Sequence, residues 1–323
     1  MRSIQTSVTF PLSAVKPLDQ LQAYRAFCTQ TTARVLANGP VRRRQRCPVD
    51  AQQMVSYGSV ADGVSYVRCP GCQSLFLEQL PDSSVWSRLL DEVSRFRQAP
   101  NGFHAALAQS RTDTVYAPKL DWIQDTLRLQ HLTRPRILEV VVGPSPFTQL
   151  LRESGLGQVV VTDDASAVLA SPPAAADASA EVVILLELLD AVDDPVALLK
   201  AAFRRLVKDG VLFVTALVAS GFDMASLGAR NLYLCPPDRT NCFSLRGLSS
   251  LLTRAGFQLV EVSTPGVLDV EIVHAHLRQD PSVELSPFER QVIESEGETR
   301  QAFQAFLQTQ GLSSFARLVG RKP

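Results

Sequence analysis

Apolar residues in this chain gather into short runs separated by stretches of helical spacing, the pattern of a sheet whose strands are covered by helices. The runs are ILEVVV from Ile137, Val159 to Val161, EVVILL from Glu181 to Leu186, GVLFVTAL from Gly210 to Leu217, and FQLVEVSTPG after Gly256. The spacing predicts helices over 194–207, which opens on Asp-Pro, and over 245–255, with Gly256 as its cap. Upstream, helices are expected at 18–36, at 82–98 and at 118–131. In the second of these Trp86, Leu89, Leu90, Val93 and Phe96 share one face. Residues 267–312 read mostly as helix, although PGVLDVEIV at their start reads as an extended run with Asp269 and Glu271 on one side. The segment 313–321 is expected to return to the sheet as an edge or penultimate strand.

The stretch Ile137 to Asp164 organises the rest: strand, Gly-Pro-Ser-Pro turn, amphipathic segment, strand, two aspartates. In a doubly wound α/β sheet the ligand sits at the strand ends, above the first turn, and an acid after the second strand holds a ribose. Glu139 and Asp163 or Asp164 occupy those places, so a nucleoside-like cofactor is expected. Close approach of backbone to ligand calls for glycine. This turn supplies only Gly143, with Val141 and Ser145 where smaller or Cβ-free residues are expected. The segment 164–180 is 17 residues long, enough for a short helix or a short strand but hardly for both. The turn lacks G-x-G-x-x-G spacing, which disfavours nicotinamide chemistry.

Composition narrows the partners. The chain has 323 residues, 46% hydrophobic and 20% charged, with 32 basic and 32 acidic side chains. That balance gives no global attraction to nucleic acid or to an anionic membrane. No run is long and apolar enough to span a bilayer, so no membrane partner is expected and a cytoplasmic location is. Six cysteines then read as thiols or metal ligands. Cys69-Pro-Gly-Cys72 has the form of a zinc knuckle, and Cys47-Pro-Val-Asp50 lies where a second knuckle belongs, with Asp in place of the fourth Cys. The two readings are a Cys3Asp zinc site and a knuckle that no longer binds. The Arg42, Arg43, Arg44, Arg46 cluster has no interleaved aromatic platform, so nucleic acid is a minor reading. His104 and His131 have no partner motif.

Several strings together, CPGCQSLFL, VYAPKLDWI, ILEVVVGPSPF, LLELLDAVDDPVALLKAAFRRLVKDGVLFVTAL, PPDRTNCFS and LLTRAGFQLVEVSTPGVLDVEIV, resemble the class I S-adenosylmethionine-dependent methyltransferases. The resemblance is to bacterial members with a paired zinc-knuckle N-terminal segment. It implies a Rossmann-like doubly wound α/β sheet, mostly parallel, with the last strand antiparallel. The division it implies is an N-terminal segment 1–80, a helical connector 81–135 and a core 136–323, with 267–312 a helical insertion over the substrate end. It places Glu139, Val141, Gly143, Ser145, Asp163, Asp164 and Glu187 at the S-adenosylmethionine, and zinc at Cys47, Asp50, Cys69 and Cys72. Asp223, Arg239 and Asp269 stand toward the substrate, a small molecule or sugar, with Asp190 a further acid at a strand end. The family's Glu-His is Asp190-Ala191 here, the His of its Pro-Pro-x-His is Arg239, and the His of its Ser-Ser-His is Phe315. Two functions follow: a methyltransferase with a weakened cofactor motif, or an inactive member serving as a binding or scaffolding subunit beside a protein partner.

Overall fold

The computed structural model describes residues 12, 18–99, 108–143, 145–162 and 178–323. The expected location of Asp163, Asp164, His104 and most of the short 164–180 segment lies outside the described residues.

The chain opens with α1 (Leu18–Ala37), followed by five short strands: β1 (Val41–Arg43), β2 (Val55–Ala61), β3 (Val64–Arg68), β4 (Leu75–Leu77) and β5 (Gln79–Pro81). Next comes α2 (Ser83–Gln98), whose Trp86, Leu89 and Val93 are buried as the helical spacing requires. Its Phe96 stays partly exposed and stacks on Phe27 of α1 with ring centroids 3.8 Å apart. A helical stretch follows: α3 (Ala108–Arg111), a π-helical turn at Thr112–Tyr116 and α4 (Ala117–Leu129).

The core then alternates strand and helix: β6 (Arg136–Val140), α5 (Pro146–Glu153), β7 (Gln158–Thr162), β8 (Ala180–Leu186), α6 (Pro195–Arg205) and β9 (Leu206–Leu217). Asp194 caps α6 by accepting from the Ala197 N–H at 2.9 Å, and Pro195 fills the first turn, where a missing N–H costs nothing. After α7 (Phe222–Leu227) and β10 (Asn241–Cys242) come α8 (Leu245–Arg254) and β11 (Gln258–Ser263). Three helices, α9 (Asp269–Gln279), α10 (Pro287–Ile293) and α11 (Gly297–Thr309), precede the final strand β12 (Phe315–Arg321).

The main sheet has the order β11-β12-β9-β8-β6-β7. β6, β7, β8 and β9 are mutually parallel, and β12 runs antiparallel to both β9 and β11. The sheet is therefore mostly parallel with its last strand reversed in the penultimate position, as the resemblance implies. β8 and β9 are buried nearly throughout, which explains their unbroken apolar runs. No helix among the described residues is long and apolar enough to cross a membrane.

One feature differs from the sequence reading. Residues after Leu268 form a helix where an extended run is expected, so Asp269 and Glu271 do not share a strand face. The alternation in LDVEIV is offset by Val270, Val273 and Leu277, which fall at helical spacing and are buried, and an acid in the first turn suits a helix N-terminus. The N-terminal strands are joined by one from later in the chain: β10 pairs with β4, giving the antiparallel order β10-β4-β3-β2. Cys47, Val49, Cys69, Cys72 and Phe76 share one apolar cluster with Val183, Leu212 and Leu252 of the core.

Candidate functional site

A cavity of about 830 Å³ opens at the C-terminal ends of β6 and β8 and extends along α4 to α9 and β12. Glu139, Val141 and Ser145 border it on one side; Glu187 and Arg239 on another; Asp223 and Asp269 on the far side. These predicted residues thus converge on one space, although 130 positions separate the first from the last.

The turn after β6 takes an unexpected form. The Val141 N–H bonds to Thr162 O at 2.9 Å, extending the pairing of β6 with β7. The left-handed position falls not at 141 but at Gly143, with φ 71°. A Cβ at Gly143 would stand 2.5 Å from Ser94 Oγ of α2, so this glycine serves the approach of a helix. Val141 and Val142 place apolar side chains on the cavity wall. Glu139 is 2% exposed, and its Oε2 has no hydrogen-bond partner among the described residues. Burial pushes its carboxyl above the ordinary value, opposed by Thr148 and Arg152.

An ion network lies at the end of β8. Glu187 takes a left-handed backbone, φ 56°, which lets its N–H reach Thr215 O while its side chain enters the cavity. Lys119 of α4 donates to Oε1 at 2.8 Å and Arg239 to Oε2 at 2.7 Å. Burial acts to raise the Glu187 carboxyl, but the two cations hold it well below the usual range. Arg239 also reaches Asp190 at 3.4 Å, and Asp190 Oδ2 accepts the Leu217 N–H at 2.9 Å. Asp190 is fully buried, and burial pushes its carboxyl up to about 8 against the pull of Arg239. Between 3.8 and about 8, unfolding releases a proton from Asp190. Its contribution is therefore greatest at low pH and declines as pH rises from 3.8 toward about 8. The stability of the wild type relative to Asp190→Asn should fall across that window in urea titrations at stepped pH. A flat difference would refute it.

The acids expected near the substrate are committed to the scaffold. Asp269 accepts from Gln304 Nε2 at 2.8 Å, Ser313 Oγ at 2.6 Å and the Ser314 N–H at 2.6 Å, which fastens α9 to α11 and to the start of β12. Asp223 accepts from Asn231 Nδ2 at 3.1 Å and is fully buried. Also on the cavity wall, Tyr24, Arg97 and Asp238 form a second cluster, with Tyr24 donating to Asp238 at 2.7 Å and accepting from Arg97 Nη2 at 2.7 Å. Lys119, Trp122 and Arg317 also line the cavity and are missing from the sequence reading. Only the string VYAPKLDWI hinted at the first two, because its lysine interrupts an apolar helix face.

The four candidate metal ligands meet as the knuckle spacing implies. The ligand atoms of Cys47, Asp50, Cys69 and Cys72 all lie within 4.8 Å of one another. Cys47 Sγ and Cys72 Sγ are 3.6 Å apart, close to the roughly 3.7 Å edge of a tetrahedron with metal–sulfur bonds of about 2.3 Å. Cys69 Sγ lies 3.2 Å from Asp50 Oδ1. The Val49 and Cys72 N–H groups point at Cys47 and Cys69 sulfurs, at 3.3 and 3.4 Å. Contact with Cys47 holds the Cys72 thiol down to about 6. A Cβ at Gly71 would fall 2.6 Å from Asp50 Oδ2, so only glycine admits the carboxylate this closely. The donor set suits zinc.

A family profile described as "Methyltransferase domain" matches residues 108–262, from α3 through most of β11. Residues 108–262 are a methyltransferase domain of the class I S-adenosylmethionine-dependent family. Among solved structures, this methyltransferase-family chain is similar to 1,6-didemethyltoxoflavin-N1-methyltransferase from Burkholderia thailandensis, with 12% identity, 80% of this chain and 94% of that one covered, and a TM-score of 0.44. It is also similar to a SAM-dependent methyltransferase from Thermotoga maritima, with 18% identity, coverage of 75% and 99%, and a TM-score of 0.40. A SAM-dependent methyltransferase from Archaeoglobus fulgidus shows 15% identity, coverage of 62% and 94%, and a TM-score of 0.37. At such scores nothing about substrate passes from these proteins to this methyltransferase. No curated protein sequence matches the chain.

Proposed function

We propose that this protein transfers a methyl group from S-adenosylmethionine to a small molecule or sugar, with a weakened hold on the cofactor. One observation carries the reading: a single cavity of about 830 Å³ joins the turn after β6 to the far side lined by Asp223, Arg239 and Asp269. Small-molecule sites typically occupy about 300–1,000 Å³, so cofactor and a small acceptor fit together. The buried, unpartnered Glu139 Oε2 supports the cofactor end. Glu139, Val141, Ser145 and Glu187, which line the cavity, would hold S-adenosylmethionine, which supplies an electrophilic methyl group when bound, whereas Gly143 is off the cavity wall and packs against α2. The protein's part is to hold the acceptor in line and keep water out. Lys119, Glu187 and Arg239 line the cavity as one ion network, with Arg239 also held by Asp190. Zinc at Cys47, Asp50, Cys69 and Cys72 would be structural, because the three cysteines belong to the apolar cluster shared with the core. A cytoplasmic setting belongs to the same proposal, supported by six free cysteines.

Val141 favours a second reading, a binding or scaffolding subunit alongside a protein partner. Its isopropyl group, joined by that of Val142, lines the wall where a residue without Cβ would let a ligand approach the backbone. A displacement of about 1 Å can cost roughly 100-fold. Calorimetric titration with S-adenosylmethionine and S-adenosylhomocysteine is expected to give dissociation constants no better than high micromolar, tightened by Val141→Gly. Binding in the low-micromolar range or below would refute the weakened hold. Heat indistinguishable from dilution, in both wild type and Val141→Gly, would leave the scaffolding reading.

A further inference from the structure

The cations on the cavity wall are not alike. Arg97 pairs with Asp238, Lys119 with Glu187, and Arg239 with Glu187 and Asp190. Arg317 of β12 is only 9% exposed and makes no ion pair among the described residues. Its Nη2 donates to Pro118 O at 3.3 Å, and its guanidinium carbon lies 5.2 Å from the centre of the Trp122 ring. Its Nε is buried without a hydrogen-bond partner. The nearest acids do not answer it: Glu261 accepts instead from Trp122 Nε1 and Ser263 Oγ, each at 3.0 Å. Burial pulls the Arg317 guanidinium down to about 10, with Glu261 and Asp121 opposing, so it remains a cation at neutral pH.

Arg317 lines the cavity, and a buried cation with an idle donor is expensive unless an anion completes it. The place of Arg317 in the sheet says which end of the cavity that anion occupies. Arg317 is in register with Thr215 on β9 and Ser263 on β11. Three strand spacings, about 14 Å in all, separate β12 from β6, where Glu139 and the turn lie. The anion therefore belongs to the acceptor and not to the cofactor end. Resting on the methyltransferase reading, we propose that Arg317 anchors a carboxylate of the methyl acceptor, a small monoanion lying against Trp122. Guanidinium Nε and Nη donors form a planar fork that matches the two oxygens of a carboxylate. Carboxylates outnumber cations on the cavity wall, Glu261 and Asp121 among them, and would repel a dianionic phosphate more strongly than a monoanion.

Saturation-transfer NMR on the full chain with benzoate, benzamide and inorganic phosphate tests this. Benzoate is expected to bind saturably by about 10 mM, and benzamide and phosphate at least about tenfold more weakly. Arg317→Gln should weaken benzoate by about tenfold or more, and Arg317→Lys by less, because it keeps the charge and loses the fork. If Arg317→Gln does not fold, the Arg317 Nε–H resonance of the wild type, assigned through Arg317→Lys, should shift with benzoate and not with benzamide. Equal binding of benzoate and benzamide, tighter binding of phosphate, an unmoved Arg317 resonance or no saturable benzoate each overturns the proposal. Titrating S-adenosylhomocysteine into the same samples separates the two readings. Cofactor binding without benzoate binding removes the carboxylate anchor alone, whereas benzoate binding without cofactor binding keeps the anchor and removes the transferase.

Discussion

Protein purified without chelator is expected to carry close to one zinc ion per chain, and Cys69→Ser to release it. Three thiols and a carboxylate already stand within 4.8 Å of one another, so little chain entropy remains to be lost on binding. Knuckle N–H groups already face Cys47 and Cys69 sulfurs, which is the support a thiolate needs when it carries a metal. Structural zinc contributes about 10–16 kcal/mol in small peptides that are unfolded without it. Here the net effect on folding should be smaller, because Val49 and Phe76 pack into the core cluster without the ion. Chelation should therefore lower the melting temperature without abolishing the fold, and the loss should be reversed by zinc. Metal analysis by plasma mass spectrometry and thermal denaturation before and after chelation read the two effects. Essentially no metal in chelator-free protein would reduce the cluster to buried thiols.

Arg239→Met is expected to cost about 3–5 kcal/mol of unfolding free energy at pH 9, the range for breaking a buried pair from one side. Asp190, fully buried, is ionised above its value of about 8, and its guanidinium partner sits at 3.4 Å. Most of the loss should come from Asp190. Glu187 is 35% exposed in its side chain and keeps Lys119, so its share is discounted for solvent screening. Near pH 6 Asp190 already holds its proton, and the cost should shrink. Adding Asp190→Asn to Arg239→Met should recover part of the loss at pH 9 and little at pH 6. Urea unfolding of the four proteins at both pH values measures this. A cost of Arg239→Met that is the same at pH 6 and pH 9 would show that Asp190 is not the partner that matters.

Much of the core could be read along the chain. The strands β8 and β9 announce themselves as unbroken apolar runs because both their faces are covered, and α2, α6 and α8 through helical spacing with recognisable first turns. The knuckle pair was likewise legible, because CPVD and CPGC are local turns whose ligand spacing is written in sequence. The helix at Asp269 was not, since its β-branched alternation fits a strand and only burial of Val270, Val273 and Leu277 against neighbouring helices decides otherwise. The same limit holds for the turn after β6: the sequence supplies one glycine, but only the nearness of Ser94 explains why it stands at 143. Arg317 and Lys119 show it most fully. Arg317 carries no local signal in its strand and Lys119 only an interrupted helix face, and one becomes a cation without an ion pair among the described residues while the other grips Glu187 only because β12 and α4 meet over the strand ends. Periodicity reports which side of an element is apolar, so the sequence determined the layers and the order of their pieces; which charges share a cavity depends on contacts between residues far apart in the chain, and the tertiary structure alone decided that.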